Sequence, residues 1–152
     1  MNPGRVSQRI IGDRLDWIAK MVREIQSLPL DDFETFIQDR RNLWSAESCL
    51  RRAIEAMMDL GRHISAKAFG RGISEYKEIA TVLSENRILS DKEIELFKTL
   101  AGYRNRMVHF YHEISEKELF DICSSQLSDI EMISETLKKW INNHPEMVDR
   151  NL

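Results

Sequence analysis

Proline and glycine are scarce in this chain, at 3 and 6 of 152 residues. Folds built from many short strands draw on both residues for their turns, so the scarcity favours long helices joined by short loops. Cysteine is scarcer still. Cys49 and Cys123 both fall on apolar helical stripes and are expected as buried, reduced thiols, which sets aside a disulfide-dense secreted scaffold. No apolar run approaches the roughly 20 residues that a bilayer requires, and nothing resembles a signal peptide. The expected compartment is the cytoplasm, with no membrane contact. A basic excess is also missing. The net charge of −3 argues against coating nucleic acid by bulk charge, though not against a local basic cleft.

What remains is a length and composition typical of one globular domain spanning residues 1–152, with 42% hydrophobic and 31% charged residues. Such a chain can bury a core without disulfides or metals. Periodicity predicts about five helices. The first covers about residues 8 to 27, with Ile11, Leu15, Ile18, Val22 and Ile25 on one stripe, and Leu28-Pro29 ends it. Asp31 and Glu34 have capping-box spacing and open a long second helix over about 32 to 64 or beyond, with Leu43, Ala46, Leu50, Ile54, Met57 and Ile64 in helical register. Gly70-Arg71-Gly72 ends that region. No strand precedes it, so a plain loop fits better than a phosphate cradle. A short third helix covers about 74 to 86. Ser90 with Glu93 opens a fourth, about 91 to 110. Ser115 with Glu118 opens a fifth, about 116 to 142, which His144-Pro145 stops. No strand pattern, linker or repeat is visible, and the expected fold is an all-α antiparallel bundle.

The chemistry concentrates at the end of the fourth helix, in Arg104-Asn105-Arg106-Met107-Val108-His109-Phe110-Tyr111. At about 100° per residue, Leu96, Leu100, Tyr103, Met107 and Phe110 share the core side. His109 projects away from it. Asn105 is one turn before His109 on the same stripe. Arg104 sits on the flank of the core stripe. The reaction that suits these groups is cleavage of RNA by its own 2′-hydroxyl. That step needs a base and an acid near neutral pH, a role for histidine. It also needs a fixed positive charge on the nonbridging oxygens, a role for arginine. No water nucleophile is required, hence no metal and no cofactor. His63, His112 and His144 show no zinc-ligand spacing. Arg40, Arg41, Arg51, Arg52, Arg62, Lys67 and Arg71 form a basic stretch that reads either as a solvated helix face or as a basic wall beside the site.

The segment Gly102-Tyr103-Arg104-Asn105-Arg106-Met107-Val108-His109-Phe110-Tyr111 resembles the Arg-x4-His-x-Tyr signature of HepT-like proteins of the HEPN superfamily. The likeness extends to Met57-Met58-Asp59-Leu60-Gly61-Arg62-His63-Ile64, to Ser74-Glu75-Tyr76-Lys77-Glu78 and to Leu83-Ser84-Glu85-Asn86-Arg87-Ile88-Leu89. It covers roughly residues 10 to 142. The resemblance implies a HEPN-like helical domain that dimerises, and a toxin ribonuclease whose composite site uses Arg104 and His109, with Asn105 supporting. It also implies a minimal nucleotidyltransferase partner that acts as antitoxin by transferring AMP to Tyr111. Ser115 stands where many relatives carry aspartate, and both residues cap helices. Arg106 receives no role from the motif. An alternative within the same superfamily is a non-catalytic helical subunit that binds nucleotide or presents substrate to a nucleotidyltransferase.

Overall fold

The computed structural model describes residues 4–109 and 114–151. Its helices are α1 (Gln8–Gln26), α2 (Phe33–Gln38), α3 (Arg40–Phe69), α4 (Tyr76–Glu85), α5 (Asp91–His109), α6 (Glu116–Ser125) and α7 (Leu127–Asn143). The architecture is the expected all-α bundle, with two of the predicted helices each divided in two.

The first division falls at Asp39, whose backbone is extended at φ −114° and ψ 109°. Its carboxylate accepts the Arg41 N–H at 3.0 Å, which caps α3. The Asn42 side chain donates to the Phe36 carbonyl at 3.1 Å and closes α2. The turn lays Phe33 and Phe36 against Phe120 of α6, with ring centroids 5.4 and 5.3 Å apart. Burial of these rings thus overrides the continuous helical periodicity of the segment. The cap of α2 is Asp32, which receives the Thr35 N–H at 3.2 Å, one residue later than expected. The second division is at Gln126, φ −119° and ψ 7°. Its side-chain carbonyl accepts from the Tyr103 hydroxyl at 3.1 Å, so the break is tied to α5.

A two-residue parallel strand pair, absent from the sequence expectations, joins the chain ends: β1 (Val6–Ser7) pairs with β2 (Val148–Asp149). The Ser7 N–H also donates to His63 Nε2 at 2.8 Å. Gly70 closes α3 in the left-handed conformation at φ 64°. Its N–H reaches Ala66 O, and that of Arg71 reaches Ser65 O. Gly70-Arg71-Gly72 is therefore a helix stop, as the loop reading required.

The long α3 is the spine. At 1.5 Å per residue its 30 residues extend about 45 Å. Leu50, Ile54, Met57, Leu60 and Ile64 are fully buried along it, each contributing about 1.5–3 kcal/mol on leaving water. The α1 face of Ile11, Ile18, Met21, Val22 and Ile25 packs on one side, and α4 and α5 pack on another. Gly61 permits that approach: a Cβ there would lie 2.7 Å from Ile79 Cγ2 and 3.7 Å from Phe97 Cζ. The middle of α3 is thereby set directly against α5, which carries the motif. No helix among the described residues is long and apolar enough to cross a membrane.

Candidate functional site

Helix α5 begins with a complete capping box. The Ser90 N–H donates to Glu93 Oε1 at 3.0 Å, and the Glu93 N–H donates to Ser90 Oγ at 3.2 Å. Ile94, Phe97, Leu100 and Ala101 are its buried side chains. The fully buried face is thus rotated from the predicted stripe, whose Leu96, Tyr103 and Met107 pack only partly buried against the core. Phe110 lies outside the described residues. The rotation has a consequence for Arg104. It continues the Phe97–Ala101 series by helical spacing, so it faces α3 rather than open solvent.

There the guanidinium meets Glu55. Arg104 Nε donates to Glu55 Oε1 at 3.2 Å, and Nη1 donates to Asn105 Oδ1 at 3.2 Å. The Arg104 side chain is 27% exposed and that of Glu55 32%. Glu55 also receives Arg51 Nη1 at 3.4 Å. Arg51 in turn lies 3.5 Å from Glu47. The guanidinium is therefore anchored through its Nε edge and steadied by Asn105, while the rest of its donors remain for an incoming anion. A small open hollow of about 120 Å³ at this point is lined by Glu55, Met58, Asp59, Arg62 and Arg104.

His109 is the last residue of α5 and is exposed. That agrees with its predicted position opposite the core. Among the described residues it makes no hydrogen bond, so none links it to Arg104 at the same helix end. Asn105 is brought to Arg104 directly. Tyr111 lies outside the described residues.

Glu55 was not legible as a site residue. Its partner is 49 positions away, and its local setting of Glu47, Arg51 and Glu55 at four-residue intervals reads as a solvated stripe. Arg106, which the motif left without a role, makes a two-pronged pair with Glu118 at 2.7 and 2.9 Å. Glu118 therefore joins the start of α6 to the end of α5, and only the Ser115 half of the predicted capping box forms, with the Glu118 N–H donating to Ser115 Oγ at 3.1 Å. The basic stretch divides as well. Arg40, Arg41 and Arg71 pair with Glu116, Asp39 and Glu85 at the surface. Arg51, Arg52 and Arg62 instead lie along the α3 face that leads to Arg104. Both cysteines are free, and burial pushes the Cys123 thiol up to about 12, which makes it inert as a nucleophile.

A family model described as ribonuclease HepT-like matches residues 18–137. The chain belongs to the ribonuclease HepT-like family. It is 25% identical over 129 residues to the mRNA nuclease HepT of Shewanella oneidensis, covering 85% of this chain and 96% of that protein. Its fold superposes on the tri-AMPylated HEPN toxin of Shewanella oneidensis, solved in complex with its MNT antitoxin. The TM-score is 0.77 at 25% identity, over 86% of this chain and 97% of the other. The cytosolic protein YutE of Bacillus subtilis, of unknown function, shares the fold at a TM-score of 0.77 and 17% identity, over 92% and 94% of the two chains.

Proposed function

We propose that this HepT-like chain is the toxin of a toxin–antitoxin pair and acts as a metal-independent endoribonuclease. One observation carries the reading: a motif arginine, Arg104, held by Glu55 and Asn105 in a half-buried position, at the same helix end as an exposed motif histidine. An anchored guanidinium is preorganised for charge that develops in a transition state, whereas a mobile surface arginine is not. The related mRNA nuclease and the related toxin–antitoxin complex support the biological role.

In this mechanism the ribose 2′-oxygen attacks the adjacent phosphorus, the bond to the 5′-oxygen breaks, and a 2′,3′-cyclic phosphate forms. One imidazole accepts the 2′-proton or donates to the departing 5′-oxygen. Arg104 binds the nonbridging oxygens. Since no hydrogen bond joins Arg104 and His109 within one chain, the complete site is proposed to form across a two-fold homodimer that brings two α5 ends together. Asn105 is a positioning residue through its bond to Arg104. Silencing is proposed to follow AMP transfer from ATP: the Tyr111 oxygen bonds the α-phosphorus and pyrophosphate departs. The added nucleotide would fill the cleft and place negative charge on Arg104.

The test is incubation of purified chain with RNA in EDTA. Fragments ending in 2′,3′-cyclic phosphate are expected, with cleavage falling on the order of 10²-fold or more in His109→Ala. Activity abolished by EDTA and restored by magnesium would replace this mechanism. Light scattering should give about twice the 17.9 kDa chain mass, and a monomer that cleaves RNA would sink the composite site. Co-expression with the cognate nucleotidyltransferase should add AMP to Tyr111 by mass spectrometry, and Tyr111→Phe should escape silencing.

A further inference from the structure

The hollow at Arg104 does not end at Glu55 and Asp59. The same two carboxylates form the edge of a second open hollow of about 230 Å³, lined also by Arg14, Trp17, Arg52 and Ala56. Arg14 and Trp17 stand one helical turn apart on α1. Arg52, Glu55 and Asp59 repeat at turn spacing on the facing side of α3. The result is a groove running from the motif arginine to an indole. Arg14 and Trp17 both precede the part of the chain that the family model matches, residues 18–137.

The character of the groove is specific. Four arginines face two carboxylates, in a chain whose net charge is −3, so this face is locally cationic. The carboxylates are already engaged. Glu55 holds Arg51 and Arg104, and Asp59 holds Arg62 at 3.1 Å with Arg14 Nε at 3.7 Å. Arg14 Nε is shielded from solvent and has no hydrogen-bond partner. Arg52 makes no ion pair or side-chain hydrogen bond among the described residues, and its guanidinium is available. Trp17 is 37% exposed, with Lys20 Nζ 5.6 Å from its ring centroid. An exposed indole bordered by free and anchored cations is the arrangement that holds single-stranded nucleic acid, with bases stacked on the ring and phosphates on the arginines.

We infer that the α1–α3 groove is a substrate subsite in which Trp17 stacks a base of single-stranded RNA and Arg52 and Arg14 hold its phosphates, outside the nucleotides that are cleaved. The inference rests on the ribonuclease reading and gives it a direction: the strand runs from Arg104 along α3 toward α1. It also assigns the middle of the basic stretch a purpose that its pairing alone does not supply.

The test uses two RNAs, a dinucleotide and an unstructured oligonucleotide of about ten nucleotides. Binding is measured by fluorescence anisotropy in the full-length His109→Ala chain, so that no substrate is consumed. Adding Trp17→Ala should weaken the oligonucleotide on the order of 10-fold and leave the dinucleotide unchanged, the scale of one lost base–aromatic stack. Trp17→Phe should restore most of the loss. Arg52→Ala, an exposed change that disturbs no pairing, should weaken the oligonucleotide and flatten its salt dependence. In the otherwise unaltered chain, Trp17→Ala should slow cleavage of the oligonucleotide and spare the dinucleotide. The proposal is overturned if Trp17→Ala binds the oligonucleotide as tightly as its parent, if both RNAs weaken equally, or if RNA does not bind at all. It is also overturned if Trp17→Ala spares RNA but loosens the complex with a nucleotidyltransferase, which would make the groove a protein interface. Failure of the ribonuclease reading looks different: the oligonucleotide would bind in a Trp17-dependent manner and remain intact with the unaltered chain.

Discussion

Along α5 the segment Asp91–Leu100 buries Ile94, Phe97 and Leu100, while Gly102–His109 buries no side chain completely. The first segment has a full capping box and a hydrogen bond from Thr136 of α7 to Glu93. The second is held by polar contacts at its margins: Tyr103 to Gln126, Arg104 to Glu55 and Arg106 to Glu118. One helix thus serves as a packed strut at one end and as a platform for charged groups at the other. The platform can present cations at half-buried positions because the strut fixes its direction against α3.

The largest expected effect breaks the strut. Phe97 is fully buried, and Phe97→Ala should cost about 3–5 kcal/mol in chemical denaturation. A loss below about 1 kcal/mol would mean that α5 is not anchored by this packing. Gly61→Ala comes next. The added methyl would sit 2.7 Å from Ile79 Cγ2, a branch methyl with little freedom to retreat, so a loss of about 1–3 kcal/mol is expected despite the better helix propensity of alanine. A stabilised Gly61→Ala chain would show that α3, α4 and α5 pack less tightly than described.

These two positions also mark what the sequence made legible. Periodicity located the α-helical stretches, because burial of one stripe is a repeating local signal, but not the 3-10 turn at Pro145–Met147. It missed the breaks at Asp39 and Gln126, since both answer to distant partners, Phe120 for α2 and Tyr103 for the α6–α7 junction. Arg104, Asn105 and His109 were legible as candidates because they lie within one short motif whose chemistry and helical positions read locally. Glu55 was hidden because a charge partner 49 residues away leaves no local trace. Arg106 and Glu118, 12 residues apart, were each assigned by local rules, one to no role and the other to a capping box. The strand pair joins residues 6–7 to residues 148–149 and is too short for any period to register.

Smaller effects sharpen the polar side. Arg106→Ala removes a pair whose side chains are 33% and 35% exposed, so a loss of about 1 kcal/mol or less is expected, shrinking in high salt. A loss of several kcal/mol would make the platform as dependent on packing as the strut. The smallest effect lies at the chain ends. His63 accepts the Ser7 N–H through Nε2 and must be neutral to do so. Burial, then Lys67 and Arg14, hold it below its ordinary value of 6.5. Below that pH the unfolded chain binds the proton more readily than the folded one. The contribution is therefore complete above pH 6.5 and is lost as pH falls through that value and then through the lower folded one. NMR titration of the His63 ring should give a midpoint under 6.5, with the Ser7 amide losing hydrogen-exchange protection at the same step. A midpoint above 6.5 would contradict the neutral acceptor.

The contrast between strut and platform is tested most directly by measuring stability and RNA cleavage together in Arg104→Ala and His109→Ala. Arg104→Ala leaves Glu55 with Arg51 as its partner, and His109 is exposed, so unfolding free energies should remain within about 1 kcal/mol of the parent chain. Cleavage should fall on the order of 10²-fold or more in both. Substantial destabilisation with the lost activity, or activity retained in folded variants, would contradict a helix end given over to chemistry.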